Sequence, residues 1–227
     1  MDIKLHFERM GEGFPLVMLH GNGEDHEYFS GQMEAFSQHF QLVLVDTRGH
    51  GQSPRGDAPF TLEQFAEDLK ALLDEIGITR CHILGFSDGG NIAMIFALKY
   101  PQYVEKLVLN GANLYYDGLV DWLRDEIAEK WHRFQAWGLE DPEVRREWEL
   151  QDLMMTQPNL TPDQISALTM PTLVVAGEDD VIQEEHTCLI AESLPDSRLV
   201  ILPGDHFVAR RSTQVYNEVV LEFLLEA

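Results

Sequence analysis

Six short apolar runs, separated by stretches of helical periodicity, constrain the fold of this 227-residue chain more than any other feature. They are Leu16 to His20, Leu42 to Asp46, Cys81 to Gly85, Lys106 to Asn110, Leu173 to Gly177 and Arg198 to Leu202, all rich in Val, Ile and Leu. Such alternation calls for a mostly parallel sheet flanked by helices, because parallel neighbours need a long crossover and a helix supplies it. Runs that are apolar at nearly every position read as strands covered on both faces. Between the second and third runs, Thr61-Leu62-Glu63-Gln64 offers a capping box. Leu62, Phe65, Ala66, Leu69, Leu72, Leu73 and Ile76 then keep the spacing of one helix face, and Gly77 is the expected stop.

The alternation breaks after Ala112. From Leu114 to Leu168 there is no strand pattern, and the segment holds all four tryptophans, Trp122, Trp131, Trp137 and Trp148. It reads as a helical insertion (114–168) over one end of the sheet, within a single domain spanning 1–227. Its aromatics either line a pocket, with Trp122 and Trp137 as candidate substrate contacts, or hold the short helices to the body.

Charge excludes some functions. With 39 acidic against 16 basic residues the formal net charge is −23, a field that repels nucleic-acid phosphates and anionic lipid headgroups. No uncharged run approaches the roughly 20 residues of a membrane helix, and Met1 to Glu12 lacks the apolar core of an export signal. Cys81 and Cys188 belong to no CxxC pair and have no histidine at metal-ligand spacing, so they read as buried free thiols of a reducing cytoplasm.

The strongest local motif is Gly85-Phe86-Ser87-Asp88-Gly89-Gly90, directly after a strand and before the helical stretch Asn91 to Lys99. A serine on so tight a strand-to-helix turn needs small neighbours, which explains glycine two residues before and two after. The helix N-terminus favours the negative charge that develops during acyl transfer. Of nine histidines, His206 is the candidate base, because it follows the last strand-like run and so hangs over the same sheet edge as Ser87. His20 and His50 are expected near the site as supporting groups, while His6, His39, His82, His132 and His186 have no such context. An acid must fix the histidine tautomer, and Glu178, Asp179 or Asp180, after another strand, can each serve.

Together these residues make the chain resemble the α/β-hydrolase family from about Phe14 onward. Further matches are His20-Gly21-Asn22-Gly23, Asp46-Thr47-Arg48-Gly49-His50-Gly51-Gln52-Ser53, and Pro171-Thr172-Leu173 leading to Gly177-x-x-Asp180. The resemblance implies an α/β-hydrolase fold and a Ser87, Asp180, His206 triad, with Asp179 the alternative acid. It also implies an oxyanion hole from the backbone amides of Asn22 and Asp88, a lid at 114–168, and no metal or organic cofactor. The expected activity is hydrolysis of a small ester-like molecule. A cofactor-free perhydrolase, a carbon-carbon bond hydrolase and a non-catalytic small-ligand-binding protein are the alternatives. Epoxide hydrolase and haloalkane dehalogenase relatives place an aspartate where Ser87 stands. Asp88 departs from the commoner uncharged residue after the nucleophile. Either the helix dipole stabilises it, or it contacts a cationic group of the substrate, such as the amine of an amino-acid ester.

Overall fold

The computed structural model describes residues 2–226. In chain order the elements are β1 (Phe7–Met10), β2 (Phe14–Leu19), α1 (Ser30–Ser37), β3 (Phe40–Val45), α2 (Leu62–Glu75), β4 (Cys81–Phe86), α3 (Asp88–Lys99) and β5 (Val104–Asn110). Then come α4 (Asp121–Trp137), α5 (Pro142–Thr156), the short α6 (Pro162–Ile165), β6 (Thr172–Asp179), α7 (Glu184–Ser193), β7 (Ser197–Asp205), α8 (Val208–Arg211) and α9 (Thr213–Leu225). The strands form one sheet in the order β1-β3-β2-β4-β5-β6-β7, parallel throughout except for β1. No helix among the described residues is long and apolar enough to cross a membrane.

The six expected strands are all present, and the two-residue period of a strand explains why both their faces are apolar. Val17, Leu19, Val43 and Val45 pack with α2 and α3 on one side, whereas Leu16, Met18, Leu42 and Leu44 pack with α1 and α9 on the other. Strand β1 was not expected. It pairs antiparallel with β3, Phe7 opposite Val45, and its residues are largely exposed, so an edge strand of this kind carries no buried run in the sequence.

Helix α2 begins where its pattern indicates, with Thr61 Oγ1 accepting from the Gln64 amide (3.1 Å). The reciprocal half of the box is replaced: the Gln64 side chain donates to Asp68 (3.0 Å) instead of turning back to Thr61. Asp68 is buried, so its carboxylate needs those donors inside the fold. Gly77, at φ 75°, ends the helix as expected. Cys81 is a buried free thiol, but Cys188 is only partly buried. Residues 114–168 contain helices α4, α5 and α6 and no strand.

The strand order places the site. From β2 the chain moves outward to β3 and then returns to β4 on the other side, so the loops after β2 and β4 part at a crevice on the carboxyl edge of the sheet. Open α/β sheets bind ligands in such crevices.

Candidate active site

Ser87 lies between β4 and α3 with φ 53° and ψ −122°, and it is the one non-glycine residue of positive φ among those described. Holding an L-residue there costs about 1 to 3 kcal/mol and persists only where the surroundings enforce it. They do so through the Ser87 amide, which donates to Asn110 O (2.8 Å), and through its carbonyl, which accepts from the amides of Gly90 (2.8 Å) and Asn91 (3.1 Å). The flanking glycines are there for space. A Cβ on Gly85 would sit 2.3 Å from Gly89 O, and one on Gly89 would sit 2.1 Å from Leu19 O.

His206 follows β7 and is nearly buried. Its Nδ1 lies 2.7 Å from Asp180 Oδ1. Of the three acidic candidates, Asp180 is the one bonded to His206, while Glu178 and Asp179 are both exposed. Burial works against ionisation of Asp180. The His206 bond, helped by the amides of Ile182 (3.1 Å) and Gly177 (3.2 Å), outweighs it and holds the carboxyl below its ordinary range. An ionised Asp180 accepts only, so Nδ1 carries the imidazole proton and Nε2 is left as the basic nitrogen. Gly111 makes room for the ring, since a Cβ there would fall 2.8 Å from His206 Cε1. The Asn110-Gly111-Ala112 turn was not singled out in the sequence, although an isolated glycine at a strand end is the usual mark of such a close approach.

Ser87 and His206 open onto one cavity of about 310 Å³, within the size range of small-ligand pockets. Its apolar walls come from Phe86, Leu119, Trp122, Leu123, Met154, Val181, Ile182 and Phe207. Trp122 thus lines the cavity, whereas Trp137 does not: it is 65% exposed, packs against Phe134 and takes no part in the cavity wall, because its helical position faces solvent at the end of α4.

The polar wall is acidic. Glu24, Asp88 and Glu126 contribute carboxyl groups, and no lysine or arginine lines the cavity. Asp88 is buried, which raises its pKa, although Asn22 Nδ2 (2.9 Å) and Asn91 Nδ2 (3.1 Å) each donate to one of its oxygens. Asn22 also reaches Leu150 O (3.2 Å), tying the loop after β2 to α5. Asn91 is held in turn by Asn113, which accepts from its Nδ2 (2.9 Å) and donates its own amide to Asn91 Oδ1 (3.0 Å). Glu24 was missed in the sequence, although it sits two residues beyond Asn22 on the same loop. Burial pushes its carboxyl up to about 7 against the pull of Arg210, 3.8 Å away, and its Oε2 has no hydrogen-bond partner.

His20 and His50 stay outside the cavity wall and support it. His20 Nδ1 donates to Gly21 O (2.8 Å) and its Nε2 accepts from the Thr47 amide (3.0 Å), so the ring pins the loop that carries Asn22. Burial lowers its pKa, which suits the neutral form that this pair of bonds requires. His50 is held by Arg48 O (3.0 Å) and, also by burial, is depressed to about 3.

The sequence profile described as alpha/beta hydrolase fold matches residues 15–136, more than half of the chain. The chain belongs to the α/β-hydrolase family. Among its relatives, the human serine hydrolase BPHL is 30% identical over 250 residues, covering 98% of this chain and 83% of its own length. The pimeloyl-[acyl-carrier protein] methyl ester esterase of Nitrosospira multiformis is also 30% identical, covering 89% of this chain and 90% of its own. Among solved structures, a hydrolase from Pseudomonas aeruginosa PA01 superposes with a TM-score of 0.78 at 27% identity, covering 99% of this chain and 95% of that one.

Proposed function

We propose that the chain is a serine hydrolase of small esters that acts through an acyl-enzyme. In this reading His206 Nε2 takes the Ser87 proton as Oγ attacks the ester carbonyl, and Asp180 steadies the imidazolium. The backbone amides of Asn22 and Asp88 receive the oxyanion, and His206 returns the proton to the leaving alcohol. Water then takes the place of the alcohol, and the same proton path releases the acid and restores Ser87. Helices α4 to α6 act as the lid of a single α/β-hydrolase domain, with Trp122 among their substrate contacts.

The observation that carries this reading is the strained Ser87 turn opening onto the same cavity as His206, with His206 bonded behind to the ionised Asp180. The ester class is supported by relatives whose names specify a serine hydrolase and a methyl ester esterase.

The acidic cavity favours an ester with a cationic group, such as an amino-acid ester. Asp88 is the residue assigned to that group, because Asn22 and Asn91 fix its orientation and each of its oxygens keeps a further lone pair. A charge-assisted bond contributes about 1.5 to 3 kcal/mol. Asp88→Asn is therefore expected to lower kcat/KM at least about tenfold more for an amino-acid ester than for its uncharged analogue. Equal losses on the two esters would refute the assignment of Asp88, and no turnover of either by the parent protein would refute the ester reading itself.

A further inference from the structure

We infer that His6, His26 and Asp46 form a binding site for a first-row divalent transition cation, zinc being the natural probe. The cluster lies outside the catalytic cavity, and none of its members lines that cavity. Its donors come from three separate places: the residue before β1, the turn after the Asn22 loop, and the residue after β3. His6 Nδ1 is 2.9 Å from Asp46 Oδ2, His26 Nδ1 is 2.8 Å from Asp46 Oδ1, and the ligand atoms of all three lie within 4.8 Å of one another.

The backbone holds this arrangement independently of the imidazoles. Asp46 N donates to His6 O (3.0 Å) and His6 N donates to Ser53 Oγ (2.7 Å). The Asp46 carboxylate is oriented by the amides of His26 (2.8 Å) and Gln52 (2.9 Å). These bonds survive if the two imidazoles exchange their N-H···O contacts for a shared cation. Ligands on tetrahedral zinc stand about 3.3 Å apart, given bonds of about 2.0 to 2.1 Å. Each His–Asp pair therefore has to open by about half an ångström, while the two imidazole nitrogens, within 4.8 Å of each other, settle at that same spacing. The side chains of His6 and His26 keep 23% and 14% of their surface exposed, so there is room for that movement.

The tautomers also fit. A ligating Nδ1 must shed its proton, which the neutral ring can carry on Nε2 instead. His6 Nε2 faces Glu8 Oε1 at 3.4 Å, so the shifted proton has a carboxylate to meet, as in many histidine-metal sites. The His26 side borders an open groove lined by Glu8 and Glu27 as well as Arg9 and Arg210, a route by which solvent can supply a water as fourth ligand. Two imidazoles and one carboxylate select zinc, cobalt or nickel over magnesium and calcium, which require oxygen ligands. A bound cation would clip the edge strand β1 to the loop that carries Asn22.

The test uses the full chain after treatment with a chelator, at pH 7.5. Zinc is titrated by calorimetry, with magnesium as control, and Tm is followed in parallel. The expected result is saturable binding of a single zinc and a Tm rise of about 5 °C at a hundredfold excess over Kd, with no response to magnesium. The double variant His6→Gln/His26→Gln, checked by circular dichroism, should bind zinc at least tenfold more weakly. In the unaltered protein, zinc should also shield His6 and His26 from diethyl pyrocarbonate, read by peptide mass, a result that needs no variant to fold. Equal zinc binding by parent and double variant, no binding by the parent, or unshielded His6 and His26 would each overturn the site.

Discussion

Glu24→Gln isolates a single ionisation at the edge of the cavity shared by Ser87 and His206. Burial raises the folded-state pKa of Glu24 from its ordinary 4.5 to about 7, so the folded protein binds a proton between these values that the unfolded chain has released. Stability therefore falls as pH rises through that window. Above it, holding the carboxylate in the fold costs about 3 kcal/mol, from 1.36 kcal/mol per pKa unit. Below the window both states are protonated and the cost vanishes. Glutamine cannot ionise, so the variant should gain on the parent by about 2 to 3 kcal/mol between pH 4.5 and pH 8. Any penalty from burying the amide beside Phe86 and Gly21 is the same at both pH values and drops out of the comparison. Urea unfolding of both proteins at the two pH values is the assay, because every other titrating group is shared. A stability difference between parent and variant that does not change with pH would show that Glu24 does not carry a raised pKa in the fold.

Two further outcomes rest on packing and charge. Arg48 is fully buried, with Nε and Nη2 bonded to the buried Asp68 (2.7 and 2.8 Å) and further bonds to Asp2, so Arg48→Met strands the Asp68 carboxylate and should cost about 3 to 5 kcal/mol in urea unfolding. Adding Asp68→Leu should recover part of that loss, and an unchanged midpoint for Arg48→Met would contradict the assignment. Gly89→Ala drives a methyl group into the carbonyls of Leu19 and His20. It should destabilise the protein by about 1 to 3 kcal/mol or more and slow acylation, whereas parent-like unfolding and labelling would show that the turn has slack.

What the sequence disclosed and what it hid divide along physical lines. The six strands buried on both faces announce themselves because each is a run of apolar residues, and the Ser87 turn because its steric demands leave glycines at fixed positions. His206 is readable from its place after the last strand, and Asp180 from the spacing of the resemblance; contact geometry then sets Asp180 apart from its acidic neighbours. Strand β1 was hidden because an exposed edge needs no apolar pattern. The redirected Gln64 side chain answers to a buried Asp68 that local sequence does not reveal. Glu24 owes its raised pKa, and His6, His26 and Asp46 their proximity, to contacts between segments distant in sequence. Trp137 shows the opposite error, an aromatic residue assigned to the pocket that the pitch of α4 turns to solvent.

Whether Ser87 is an activated nucleophile is read from intact-protein mass after exposure to a fluorophosphonate. A single adduct is expected, mapped to the peptide containing Ser87, absent from Ser87→Ala and sharply slowed in His206→Ala. An adduct that persists in folded Ser87→Ala, or a folded parent protein that takes up none, would contradict it.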